Sequence, residues 1–139
     1  MEEAAFRLKD YFFDKLLLNA GNLDKKSVLA LSFTPHGVFD KKNNSYMLSF
    51  LFTASTGRGH RKVVSVSCNA VFVFVKAIEF SDIPSFFYPN SIAIIYPYIR
   101  AMVSTLTLQA NMKKPIILPT LNLTSLGNEL KENTTLLDE

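Results

Sequence analysis

The chain has 139 residues, 48% of them apolar and 19% charged, with a formal net charge of +3. That is long enough for one domain with its own core and too apolar for a disordered chain. No apolar run approaches the roughly 20 residues that span a bilayer, and the opening Met1-Glu2-Glu3-Ala4-Ala5 is acidic where a signal peptide is basic, so a cytoplasmic product is expected.

Twelve Phe and five Tyr are more apolar surface than a small monomer hides easily, so part of the surplus is expected between subunits or on a binding surface. The single cysteine, Cys68, rules out an internal disulfide and sits in an apolar strand pattern, as a buried structural thiol does. The positive charges are scattered as pairs, Lys25-Lys26, Lys41-Lys42, Arg61-Lys62 and Lys113-Lys114. They lack the aromatic interleaving of a nucleic-acid platform, which leaves solvated loop charges as the reading.

Phe6 to Ala20 reads as a strand, dense in Tyr11-Phe12-Phe13 and Leu16-Leu17-Leu18 and closed by the turn signal Gly21-Asn22. Leu8, Phe12 and Leu16 are four apart, which leaves a helix open there. Val28, Leu29, Leu31 and Phe33 make a second strand that runs into Pro35-His36-Gly37, a break that a central strand does not tolerate. Lys41-Lys42-Asn43-Asn44 is a polar turn. After it Tyr46, Leu48, Phe50 and Phe52 alternate with Ser49 and Thr53 on the opposite face.

Thr56-Gly57-Arg58-Gly59-His60 is the next turn, followed by Val64, Val66, Cys68, Ala70, Phe72 and Phe74 at period two. Two alternating runs joined by a glycine-containing turn predict a hairpin. Four strands joined in sequence predict a largely antiparallel sheet.

From Ser85 the period changes. Ile92, Ile95, Tyr96, Ile99, Met102, Val103, Leu106 and Ala110 follow helical spacing, while Ile94, Tyr98, Ala101 and Leu108 make a second apolar face. Such a helix is expected to pack on its own sheet with one face and on another subunit with the other. Pro97 predicts either a start or a kink near that residue. Pro115 to Pro119 is extended, and Ser125, Leu126 and Leu130 predict a short final helix weakened by Gly127. The polar tail from about residue 131 is expected to fray. The layout is α+β, one domain over 1–139, with four antiparallel strands followed by one long and one short helix.

No group of residues points to chemistry. Gly57-Arg58-Gly59-His60 leads into a strand, whereas phosphate loops lead into a helix N-terminus. His36 and His60 lie in turns beside glycine, and Asp40 near His36 makes no ligand set, so neither a metal nor another cofactor is expected. Cys68 and the serines lack an activating base, and Asp10 and Asp14 are solvated carboxylates by default. A catalytic role is therefore not expected.

Tyr88-Pro89-Asn90, Tyr96-Pro97-Tyr98-Ile99-Arg100 and Asn122-Leu123-Thr124-Ser125-Leu126 carry a further signal. Their order and spacing resemble the bacterial protein-export chaperone SecB family, in which Cys-Pro-Asn precedes a Phe-Pro-Tyr-Ala-Arg helix and a Pro-bounded stretch leads into an Asn-Phe-x-x-Leu helix. Thr53-Ala54-Ser55 followed by Gly57 resembles the end of that family's third strand. The resemblance is specific over about residues 88 to 126 and follows element order elsewhere.

It implies an ATP-independent holdase that binds unfolded precursor polypeptides for export, assembled as a homotetramer, a dimer of dimers joined through the long helix and the first strand. Tyr96, Tyr98, Ile99, Met102 and Leu106 are then the expected interface residues. Family members use acidic residues on the first and fourth strands to engage the translocase ATPase. The positions that line up best are Lys15, Asn19 and Val66, which puts that partnership in doubt. The expected client groove has Phe33 and Phe39 on one wall and Leu123, Leu126 and Leu130 on the other. Two rival readings are a subunit dedicated to one folded or antitoxin-type partner and, less favoured, a basic nucleic-acid-binding module.

Overall fold

The computed structural model describes residues 5–23, 28–57 and 61–138. The strands β1 (Phe6–Leu18), β2 (Ala30–Asp40), β3 (Ser45–Thr56) and β4 (Arg61–Phe74) come first. They are followed by helices α1 (Phe87–Gln109) and α2 (Leu123–Glu132) and a short strand β5 (Thr134–Leu136). The order across the sheet is β1-β4-β3-β2-β5. β1 to β4 pair antiparallel, as four strands joined in sequence predict, and β5 joins β2 in parallel. Arg58, Gly59, His60 and the pair Lys25-Lys26 lie outside the described residues.

The alternation puts one face of the sheet under the helices. Tyr46, Leu48, Phe50 and Phe52 of β3 and Val64, Val66, Cys68, Ala70 and Phe72 of β4 are fully buried there. Phe87, Ile92, Ile95, Ile99 and Val103 of α1 close over them. Phe87 is the centre of the cluster, its ring edge-to-face with Phe6 at 4.7 Å, Tyr46 at 4.6 Å, Phe72 at 5.6 Å and Phe74 at 5.1 Å. By length and a mean hydropathy of 1.3, α1 resembles a membrane span; its inward side packs on the sheet, while Ile94, Tyr98 and Leu108 stay exposed. The helix starts at Phe87, ahead of Pro97, which therefore lies inside it. Pro97 and Ala93, whose carbonyl loses its amide partner, are both on the exposed side.

Two expectations need correction. Pro35-His36-Gly37 does not break β2, which pairs with β3 without interruption from Ala30 to Asp40. The Pro35 carbonyl accepts from Asn133 Nδ2 at 3.1 Å, on the side away from β3. The amide and carbonyl of one strand residue share a side, so the donor that proline lacks is one that β3 does not use.

The tail does not fray at residue 131. Helix α2 continues to Glu132, and β5 then binds β2 through Gly37 N to Asn133 O at 3.2 Å and Leu137 N to Phe39 O at 2.8 Å. Thr134 is buried and donates to the Leu130 carbonyl at 2.6 Å. With that proton committed, the Tyr46 hydroxyl donates to Thr134 Oγ1, so one hydroxyl chain ties the end of α2 to β3. A Cβ at Gly37 would fall 1.7 Å from the Tyr46 oxygen, so only glycine leaves room for that phenol.

Cys68 is fully buried, and desolvation, with Asp14 adding repulsion, pushes its thiol up to about 11 from 9.0. A raised acid favours the fold only while the unfolded thiol also keeps its proton. Stability is therefore expected to fall as pH rises from about 9 to 11, and Cys68→Ala should remove that component of a urea titration series. A thiol reagent at pH 8 should label the protein only after unfolding.

Candidate functional site

Phe33 lies on the helix side of β2, half-buried, with its ring 5.3 Å from Phe52 and 6.1 Å from Phe50. Above it Tyr96 of α1 meets it edge-on at 6.2 Å. The Tyr96 hydroxyl donates to the Pro119 carbonyl at 2.5 Å, fastening the extended segment that leads into α2. Burial raises this phenol, which keeps it a donor. Asn122 caps α2 by accepting from Ser125 N at 3.0 Å. Leu121, Leu123 and Leu126 pack on the core and remain partly exposed. On β2, Leu31 is 37% exposed beside Phe33. The result is an apolar margin where β2, α1 and the start of α2 meet.

Of the predicted groove residues, Phe33, Leu123 and Leu126 are partly exposed. Phe39 and Leu130 are not available to a client. Phe39 packs edge-on to Phe74 at 5.8 Å, and both Phe39 and Leu130 are 0% exposed. Alternation alone could not separate a core phenylalanine from a marginal one.

A second apolar surface combines β1 with the outward face of α1. Tyr98 stacks on Tyr11 at 4.2 Å, and Ile94, Leu108 and Leu16 are exposed. Tyr98 was predicted there. Ile99 was also predicted there, but it faces the sheet and has no exposed surface. Tyr96, Met102 and Leu106 are partly buried against their own core. The outward face is the one marked in the sequence by Ile94, Tyr98, Ala101 and Leu108.

Lys15 pairs with Ser67 on the sheet face opposite the helices, and Asn19 follows the end of β1. Val66, aligned with a surface contact, is instead fully buried beneath the helices. A cleft of about 330 Å³ separates the start of α1 from α2, lined by Phe86, Pro89, Thr124, Asn128 and Lys131 among others. Among the described residues no group of three or more His, Cys, Asp or Glu is placed to hold a metal.

No protein-family model matches the chain. It is similar in structure to the Mycobacterium tuberculosis Rv1957 SecB-like chaperone, solved in complex with a ChAD peptide from the Rv1956 HigA1 antitoxin. The TM-score is 0.66 at 16% identity, over 84% of this chain and 91% of that one. The chain has the SecB-like fold. A protein of unknown function from Streptococcus agalactiae is more distant, at a TM-score of 0.47 and 14% identity over 83% of this chain and 97% of that one.

In sequence, the chain is 32% identical over 97 residues to the uncharacterized protein MJ0357 of Methanocaldococcus jannaschii. The match spans 66% of this chain and 62% of that relative's length. The element order read from the Tyr-Pro-Tyr-x-Arg and Asn-x-x-x-Leu segments agrees with that fold.

Proposed function

We propose that the protein is an ATP-independent, non-catalytic chaperone that holds unfolded or precursor polypeptides in extended form. The observation that supports this most is the apolar margin of Phe33, Leu31, Tyr96, Leu123 and Leu126 on a SecB-like fold. Burying apolar client surface is worth about 25 cal/mol per Å², or roughly 1.5–3 kcal/mol for a fully buried side chain. A few such contacts overcome the cost of ordering a client without a strict sequence code. Assembly through the Tyr98 and Tyr11 surface and a cytoplasmic setting belong to the same reading. Engagement of the translocase ATPase stays in doubt, because Lys15 stands where an acidic contact is expected and Val66 is inside the core.

The purified protein is expected to suppress aggregation of a denaturant-unfolded protein at a one-to-one ratio, read by light scattering. Phe33→Asp should weaken that effect at least about tenfold, because the new carboxylate would have to be desolvated against the client. Unchanged aggregation with the wild-type chain would refute the proposal.

A second reading is a chaperone dedicated to one client, supported by the structural neighbour whose bound peptide comes from an antitoxin. Competition by an unrelated unfolded protein separates the two, since only a general holdase gives up its client. Export of the held polypeptide belongs to the first reading and protection of one client to the second.

A further inference from the structure

Helix α2 has two faces of different chemistry. Leu123, Leu126 and Leu130 pack on the core, whereas Thr124, Asn128 and Lys131 line the cleft against the start of α1. Gly127 lets the helices approach there, since a Cβ at that position would fall 2.9 Å from the Pro89 ring. Among the described residues the cleft shares no lining side chain with the apolar margin of β2.

The cleft is rich in donors. Lys131 brings a cation, and no carboxylate is among its described lining residues. The positive end of the 23-residue α1 lies here, and its N-cap, Phe86, has no side chain that accepts from the first turn. The Pro84 carbonyl takes Phe87 N, but Tyr88 N has no backbone acceptor among the described residues.

Tyr88 adds an independent sign of a ligand. It is only 4% exposed, yet its hydroxyl has no partner among the described residues. That oxygen is not sealed off, because Ser65 Oγ is the one described side-chain atom both closed to solvent and unpaired. The phenol therefore ends in open space, and the cleft is the space that Tyr88 lines. Nearly buried tyrosine hydroxyls normally find a partner. Burial raises this one, so it keeps its proton and stays a donor at neutral pH.

We propose that this cleft binds a small aromatic oxyanion, a carboxylate or phosphate carried on a ring. The oxyanion accepts from the Tyr88 hydroxyl and the Lys131 ammonium at the positive end of α1, and Thr124 and Asn128 supply further donors. The ring lies against Pro89 and Phe86, whose side chain is 50% exposed. A volume of about 330 Å³ is at the small end for ligand cavities and suits one ring with one charged group. The site stands apart from client holding.

Benzoate and phenyl phosphate are the probes, with benzyl alcohol as the neutral ring and inorganic phosphate as the anion without a ring. Binding to the full-length protein is followed by titration calorimetry and by backbone amide chemical shifts. At least one aromatic anion is expected to saturate the protein and shift the amides of Tyr88, Asn128 and Lys131. Benzyl alcohol and inorganic phosphate should each bind at least about tenfold more weakly. The stronger of the two aromatic anions tells a carboxylate site from a phosphate site. Lys131→Gln and Tyr88→Phe should each weaken that anion at least about tenfold. Tyr88→Phe should leave the urea midpoint where it is, because its hydroxyl bonds nothing in the protein.

Absence of saturable binding by both aromatic anions overturns the site. So does binding that either variant leaves unchanged, or binding matched by benzyl alcohol or by inorganic phosphate. A Tyr88→Phe protein with a lower urea midpoint would make the phenol structural and overturn its role as a ligand donor. Suppression of aggregation is read separately, so none of these failures counts against client holding.

Discussion

Gly37→Ala is expected to destabilise the protein by about 2–4 kcal/mol, seen as a lower urea midpoint with little change in slope. The new methyl would lie 1.7 Å from the Tyr46 oxygen, 2.3 Å from Cζ and 2.8 Å from Cε1, distances that no rotamer of a methyl can relieve. The phenol has nowhere to go, since its ring is edge-to-face with Phe87 at 4.6 Å and its hydroxyl is bonded to Thr134. Displacing it breaks the link from β3 through Thr134 to the Leu130 carbonyl, and with it the seat of β5.

Tyr46→Phe is a milder control, costing about 1 kcal/mol for the hydrogen bond alone. Combining Gly37→Ala with Tyr46→Leu should cost much less than the sum of the single changes, because the clash is with the ring that leucine removes. A Gly37→Ala protein within about 0.5 kcal/mol of wild type would mean that β2 moves away from Tyr46 freely.

Tyr98→Glu is the second large effect. Tyr98 is 40% exposed and stacked on Tyr11, so the change leaves the core of the subunit in place. In the proposed assembly it buries a carboxylate in an apolar contact, a cost of several kcal/mol unless the charge is neutralised. Association at that surface should weaken by at least about 100-fold. Light scattering at micromolar concentration should show an oligomer for wild type and a smaller species for the variant, with unchanged circular dichroism. A wild-type mass near one chain would contradict assembly, and an unchanged variant mass would move the interface elsewhere.

β3 and β4 were legible because their two faces differ in kind. Tyr46 to Phe52 and Val64 to Phe74 alternate with Ser49, Thr53, Ser67 and Asn69, and burial follows that pattern. Pro35 was not legible in this way, because sequence does not say on which side of a strand a missing donor falls. β5 is only Thr134 to Leu136, and what holds it is Tyr46 and Asn133 rather than its own pattern. In α1 both faces are apolar, so periodicity found a helix without deciding that Ile99 points in and Ile94 out. The same ambiguity affected the candidate site. Phe33 and Phe39 sit on one face of one strand, and only the third dimension puts Phe39 under Phe74 and leaves Phe33 at the margin.

The pairing of β1 with β4 has a kinetic consequence. β2, β3 and β4 are consecutive hairpins that can zip locally, whereas β1 must wait for a partner running from Leu18 opposite Val64 to Phe6 opposite Phe74. Closing so long a loop is entropically slow, so the β2–β3–β4 ribbon should form before β1 docks. On the ribosome β1 is made before its partner, leaving Phe6, Leu8, Phe13 and Leu18, which pack on the core in the folded chain, temporarily uncovered. During its own synthesis a protein proposed to shelter nascent chains exposes the kind of segment it would shelter.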